Sequence, residues 1–519
     1  MCVESQLRTE QQVEFTKNKM ALTVLMLLFF LLLLLLLLPV LFLFSKRKPK
    51  LKLPPGPRPV PIFGNLLQIG DIPHRTIYEL SKTYGPIFYM RMGQIPVVSV
   101  TSPALAEEVL RKLDLVCCTR PHMTAFQEYT FNYCDVSAAP YGDNWRILRK
   151  VFVVELLSNK KLSFFRGARQ AETDKMIESI RNRPDQAAPI NIKDFMVRLS
   201  NNIVCRVTFG HMNEGIYGER SQLHALLEEG NRMLDEIFFG DFFPGFGWID
   251  WLTGKRKRMQ KIVKELGDFF QQMIDKHKEN FTKRGEDHHD KEDFIDVMIR
   301  LCEEEGSQIT TDHIKGSIMD IITGGTDTSA STVTWAMSQL ARHPRVMKKA
   351  QEELRRVVGD KGKVEESDLP HCEYLKLVMN ETLRLHAQNP LLRETMEDCK
   401  IGGYDIPKGT RVIVSAWAIA RDEDAWENAL EFFPERFEGS SINFWGNDFQ
   451  YLPFGAGRRI CPGINFGMHT VSLALANLLY TFDWELPVGT KEGDIDLDDA
   501  PGFVTYKKTP LLLVPKNRY

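Results

Sequence analysis

Phe454-Gly455-Ala456-Gly457-Arg458-Arg459-Ile460-Cys461-Pro462-Gly463 sets three glycines, two arginines and one cysteine into ten residues, directly ahead of an apolar helical run from Ile464 to Tyr480. The stretch reads as a tight loop that delivers one sulfur to the mouth of a helix. Glycine lets backbone approach a flat ligand closely. Helix N-terminal amides and nearby cations stabilise negative charge on sulfur, and arginine supplies a fixed cation for a carboxylate. A lone cysteine in a turn is ordinarily a small buried hydrophobe; the spacing around Cys461 makes it a candidate metal ligand.

Away from this loop, helical periodicity dominates the chain. Thr311 to His343 is the longest helical stretch, opened by a Thr/Asp cap and closed by Pro344. At ~1.5 Å per residue it measures about 50 Å, so it must cross the interior of a domain. Pro86 to Thr101 reads as two short β-rich runs around Gly93-Gln94, a hairpin signal. No repeat or composition break divides residues 54–519. The expected architecture is mainly α with a minor β part, in one large catalytic domain.

Ahead of that domain, residues 1–20 read as an N-terminal extension, 21–44 as a transmembrane anchor and 45–59 as a basic, proline-rich hinge. Ala21 to Phe44 is apolar apart from Thr23, long enough to span a bilayer, and runs into Ser45-Lys46-Arg47-Lys48 with no cleavage signal. Three basic residues precede it (Arg8, Lys17, Lys19) and six follow (Lys46, Arg47, Lys48, Lys50, Lys52, Arg58), which puts the body on the cytoplasmic side of a single-pass protein. Nine cysteines without a CxxC pair fit a reducing compartment. A net charge of -2 gives no global attraction to nucleic acid, so a charged partner needs a local patch. His288 and His289 sit in a charged, apolar-free loop with no third ligand in sight.

Other residues gain meaning beside the cysteine loop. In Gly324-Gly325-Thr326-Asp327-Thr328-Ser329 two glycines interrupt the long helix, each costing about 1 kcal/mol relative to alanine. Such a cost fits a helix that must keep bulk from a neighbour, and Asp327 and Thr328 then offer a carboxylate and a hydroxyl for proton transfer. Elsewhere an Asp-Thr pair is a solvated helix face. Glu381 and Arg384 lie at i and i+3, alone an ordinary ion pair. Trp145 and Arg149 lie one turn apart, so an indole N–H and a guanidinium can reach one acidic group, or the tryptophan is simply tucked under a surface helix.

The cysteine loop resembles the haem-binding signature of the cytochrome P450 superfamily, F-x-x-G-x-R-x-C-x-G, at Phe454, Gly457, Arg459, Cys461 and Gly463, and the likeness extends from Pro54 to the C-terminus. It implies the P450 fold and haem b (iron protoporphyrin IX), with Cys461 as axial iron ligand and Phe454, Gly457 and Arg459 around the cofactor. It places Trp145 and Arg149 on a haem propionate and gives Asp327 and Thr328 proton delivery to dioxygen. With Pro434-Glu435-Arg436-Phe437 downstream, it makes Glu381, Arg384 and Arg436 a buried charge network. Electrons would come from NADPH through NADPH-cytochrome reductase, a flavoprotein that docks on a basic face, and Arg146, Lys150, Lys160 and Lys161 are either that patch or an ordinary solvated helix face. Leu385 to Glu394 departs from the plant pattern, two residues short and lacking two prolines. Arg393 takes the family's propionate-binding place there, with the expectation that it is displaced and the pocket roof reshaped.

Phe242, Phe243, Phe246, Trp248 and Trp251 read two ways, as core or as a loop that dips into a membrane and admits apolar substrates. Phe126, Tyr129, Phe131 and Tyr133 stand where the family caps its pocket, pointing to a bulky substrate. The resemblance thus implies hydroxylation of a small apolar plant metabolite, terpenoids first, at the endoplasmic reticulum membrane. Two rivals stand beside it: a haem-thiolate isomerase or dehydratase acting on a pre-oxidised lipid, whose members often lose the acid-alcohol pair kept here, and a non-catalytic membrane haem-binding protein.

Overall fold

The computed structural model describes residues 24–32, 35, 51–210, 222–284, 292–387, 390–502 and 504–518, in two compact units, Met1–Lys52 and Leu53–Tyr519. In the first unit, residues 24–32 and 35 are helical and exposed. The rest of the apolar segment 21–44, most of the basic stretch after it, and His288 and His289 lie outside the described residues. No helix among the described residues is long and apolar enough to cross a membrane.

The second unit is mainly helical. Its principal helices are α1 (Pro73–Tyr84), α2 (Asp143–Lys150), α3 (Arg166–Arg181), α4 (Ile192–Phe209), α5 (Gln222–Asp235), α6 (Lys255–Arg284), α7 (Phe294–Glu303), α8 (Thr311–Arg342), α9 (Pro344–Val358), α10 (Glu373–Leu385) and α11 (Ile464–Thr481). The expected long helix is α8. Thr310 and His313 form a capping box at its start, and Pro344 opens α9 directly after its C-cap, where a missing N–H leaves nothing unsatisfied. Every residue from Ser329 to Ala341 is buried, as an interior helix requires, and α8 packs against α4 and α11. Gly316 sits at a close crossing: a Cβ there would fall 2.0 Å from the Cys134 carbonyl oxygen.

The strands are β1 (Ile87–Met92), β2 (Ile95–Val100), β3 (Ile190–Asn191), β4 (Leu391–Glu394), β5 (Cys399–Ile401), β6 (Tyr404–Ile406), β7 (Arg411–Val414), β8 (Phe482–Glu485) and β9 (Leu512–Asn517). The expected hairpin is β1–β2, with Met92 opposite Ile95 across Gly93-Gln94 and Gly93 in the left-handed region. The largest sheet runs β1-β2-β7-β4, with β7 parallel to β2 and antiparallel to β4. Its last member carries the end of the shortened segment: Leu391–Glu394 pairs with β7, Arg393 opposite Val412, so the ladder to β7 holds the strand.

Candidate active site

The cysteine loop folds as its glycines require. Gly455 and Gly457 both take positive φ, and a Cβ on Gly457 would lie 2.3 Å from the Leu110 carbonyl oxygen. Cys461 N donates to the Phe454 carbonyl at 3.0 Å, closing the loop just before α11, and the half-buried Phe454 ring meets Phe444 edge-on. Burial pushes the Cys461 thiol up, while the Gly463 amide and the Arg149 guanidinium pull it back down. Sulfur, helix start and cation therefore meet where a thiolate ligand needs them.

Around this loop gather four arginines. Arg393 is 2 % exposed, so it is turned inward. Its neighbour is a residue that no motif in the sequence marks, Arg120. Glu394 N donates to the Thr119 carbonyl at 3.0 Å, which lays residues 119–120 along β4, and Arg120 donates to the Leu392 and Ser137 carbonyls. Arg459 donates to the carbonyls of Cys118, Val136 and Ala139 and lies 4.2 Å over the Trp145 ring. None of Arg120, Arg149, Arg393 and Arg459 has a carboxylate within ion-pair distance among the described residues. Burial pushes Arg393 well down, with Arg120 and Arg459 adding repulsion. It brings Arg120 to about 10 and, with repulsion from Arg120, Arg459 to about 9. Buried cations that repel one another call for an anion from outside the chain. A flat ligand with two carboxylates beside a thiolate-bound iron fits this set, as a haem does.

The buried Trp145 indole donates to the Val136 carbonyl at 3.0 Å and its ring lies under the Arg459 guanidinium, while Arg149 is near enough to Cys461 for the two to interact electrostatically. The basic patch is also thinner than expected. Lys150 and Lys160 are exposed, but Arg146 is paired with Asp143, and Lys161 donates inward to the Glu292 carbonyl at 2.7 Å.

On α8 the two glycines separate in role. A Cβ on Gly325 would meet Val204 Cγ2 of α4 at 2.7 Å, whereas one on Gly324, an exposed residue in the middle of the helix, meets nothing within 4 Å. Gly325 lets two helices touch, and Gly324 borders open space. Thr328 Oγ1 donates to the Gly324 carbonyl at 2.5 Å, the i to i−4 back-bond that loosens a helix. Asp327 turns elsewhere, accepting from Asn231 of α5 at 3.0 Å and from Tyr506 at 2.9 Å, neither of which the sequence marks.

Glu381, Arg384 and Arg436 assemble as expected. Glu381 accepts from Arg384 at 2.7 and 2.8 Å, from Arg436 at 2.9 Å and from the Phe433 amide at 2.9 Å, and both Glu381 and Arg384 are 0 % exposed. The remaining Arg384 donors go to the carbonyls of Ala420, Ala429 and Glu431. The aromatic cluster divides: Phe243 is core, stacked on Phe239 and edge-on to Phe63, while Phe246, Trp248 and Trp251 are exposed. Of the aromatics before Trp145, Phe131 rests against Gly267 of α6 and the Tyr133 hydroxyl bonds Met123, so they brace the loop.

The family model for cytochrome P450 matches residues 54–514. Cytochrome P450 71B35 of Arabidopsis thaliana is 44% identical over 465 residues, 88% of this chain and 92% of its own length. Cytochrome P450 71A1 of Persea americana is 43% identical over 457 residues, 87% of this chain and 91% of its own. With that match running the length of the folded body, the chain belongs to the cytochrome P450 family, as a monooxygenase of the plant A-type group.

Proposed function

We propose that this monooxygenase carries haem b on Cys461, draws electrons from NADPH through a flavoprotein reductase, and inserts one oxygen atom into a small apolar specialised metabolite. A terpenoid leads, ahead of a phenylpropanoid or an alkaloid precursor. The observation that carries the reading is the ring of four arginines about the Cys461 loop with no carboxylate within ion-pair distance among the described residues. Bound there, haem supplies thiolate-supported activation of dioxygen. The chain's own residues do the rest: Cys461 presents sulfur, Arg120, Arg149, Arg393 and Arg459 hold the propionates, Trp145 floors Arg459, and Asp327 and Thr328 hold and pass protons at a carboxylate and a hydroxyl. Retention of both Asp327 and Thr328 favours oxygen chemistry over isomerisation or dehydration of a pre-oxidised lipid.

Exposed Val60, Ile62, Leu67, Phe246, Trp248 and Leu252, on two segments joined by the Phe63–Phe243 ring contact, support a body that rests an apolar rim on the endoplasmic reticulum membrane, with residues 21–44 as its anchor and the catalytic body in the cytoplasm. The test is reconstitution with reductase against a panel of apolar scaffolds, read by mass spectrometry for a gain of one oxygen. The reduced, carbon-monoxide-treated protein should show the Soret band of thiolate ligation, and Cys461→Ser should abolish it. Turnover that survives Cys461→Ser refutes the reading.

A further inference from the structure

Asp327 of α8 is anchored from two sides. Its Oδ2 accepts from Asn231 Nδ2 at 3.0 Å and its Oδ1 from the Tyr506 hydroxyl at 2.9 Å. Each donor is itself fixed. The Tyr129 hydroxyl donates to Asn231 Oδ1 at 2.8 Å, which sets the amide with its nitrogen toward the carboxylate; the opposite orientation would face oxygen to oxygen. Tyr129 is 2 % exposed and lies so close to α5 that a Cβ on Gly230 would fall 2.5 Å from its ring. On the other side, the Thr505 carbonyl accepts from Ser331 Oγ at 2.7 Å and from Trp335 Nε1 at 2.9 Å, so the residue before Tyr506 is bolted to α8 one and two turns beyond Asp327. Lys193 of α4 sits 3.8 Å over the Tyr506 ring. Burial and the neighbouring Asp327 push Tyr506 up, and burial pushes Tyr129 up, so both hydroxyls keep their protons.

We infer that Tyr506 and Asn231 are positioning residues for proton delivery, fixing the orientation of the Asp327 carboxylate through which protons would pass toward the reacting oxygen. This rests on the reading of Asp327 as proton donor in haem-thiolate oxygen chemistry. It adds a physical link: α5 and the segment before β9 both bear on the acid, so their seating governs where protons go. Thr328 has no share in the clamp, since its hydroxyl turns back to the Gly324 carbonyl.

The experiment uses the haem-loaded full chain with reductase and NADPH and no added substrate. Two electrons and two protons take dioxygen to hydrogen peroxide, one dioxygen per NADPH; four electrons and four protons take it to two waters, one dioxygen per two NADPH. The peroxide share therefore reports whether protons arrive in time. Tyr506→Phe and Asn231→Leu should each raise that share roughly three- to ten-fold, the size of one lost hydrogen bond, as should Asp327→Asn. Tyr506→Phe added to Asp327→Asn should change nothing further. The melting drops of Tyr506→Phe and Asp327→Asn should likewise be non-additive, a readout of the bond that needs no turnover. Additive melting drops, or a parental peroxide share in Tyr506→Phe at equal carbon-monoxide Soret content, overturn the inference. A parent protein with no thiolate Soret band overturns the haem reading itself, and this inference with it.

Discussion

Arg384 and Arg393 stand nine positions apart, both fully buried, in opposite surroundings. Arg384 has Glu381 bidentate along one edge of its guanidinium, through Nε and Nη2, and three backbone carbonyls for its other N–H groups. Arg393 donates to the carbonyl of Leu392 and feels Arg120 and Arg459 as repulsive neighbours. A buried charge satisfied within the chain belongs to the fold; one left among like charges belongs to a site that receives an anion. The family's two arginine motifs thus differ in kind, one closed and one open, although both look in sequence like a charge near an apolar run.

The largest effect should come from breaking the closed set. Glu381→Gln leaves Arg384 and Arg436 without their shared carboxylate in a dry interior, at a cost of about 3–5 kcal/mol. Urea unfolding should show that loss equally in haem-free and haem-loaded protein. A parental midpoint would remove the distinction between the two sets.

In the open set, Arg393→Met should act with opposite sign in the two states. Without haem it removes a buried, repelled cation, so the unfolding midpoint should hold or rise. With haem it deletes a charge-assisted contact worth about 1.5–3 kcal/mol, so transfer of haem to an acceptor apoprotein should run roughly 10- to 100-fold faster. A haem-free midpoint that falls as far as that of Glu381→Gln would show Arg393 to be a structural residue.

What the sequence discloses follows from how local each signal is. The cysteine loop, the β1–β2 hairpin, the cap-to-proline length of α8 and the Glu381/Arg384 pair are each specified within a few turns of chain, and each appears in the structure. Arg120 reaches Arg393 only through the bridge between Thr119 and Glu394, so no spacing within one segment could mark it. Asn231 and Tyr506 reach Asp327 from opposite sides of it in the chain, one on α5 and one just before β9, under the same limitation. Lys161 reads as a surface charge until Glu292 offers a carbonyl beneath it. For Arg393 the deciding contact is equally remote in sequence, since pairing of β4 with β7 sets where that residue lies.

Gly324 and Gly325 repeat the comparison at the scale of one methyl group. Gly325→Ala would drive a Cβ against Val204, a β-branched side chain that is 1 % exposed and has little room to move. Overpacking of about 1–3 kcal/mol should outweigh the ~1 kcal/mol that alanine returns to the helix, lowering the melting temperature with or without haem. Gly324→Ala meets no atom within 4 Å, so the haem-free protein should gain about 1 kcal/mol. That gain should shrink or reverse on haem loading, because the new methyl group then occupies space left open for the reaction. If instead both alanines shift the haem-free melt in the same direction, the helix makes no distinction between a glycine that admits a neighbouring helix and one that keeps a chamber clear.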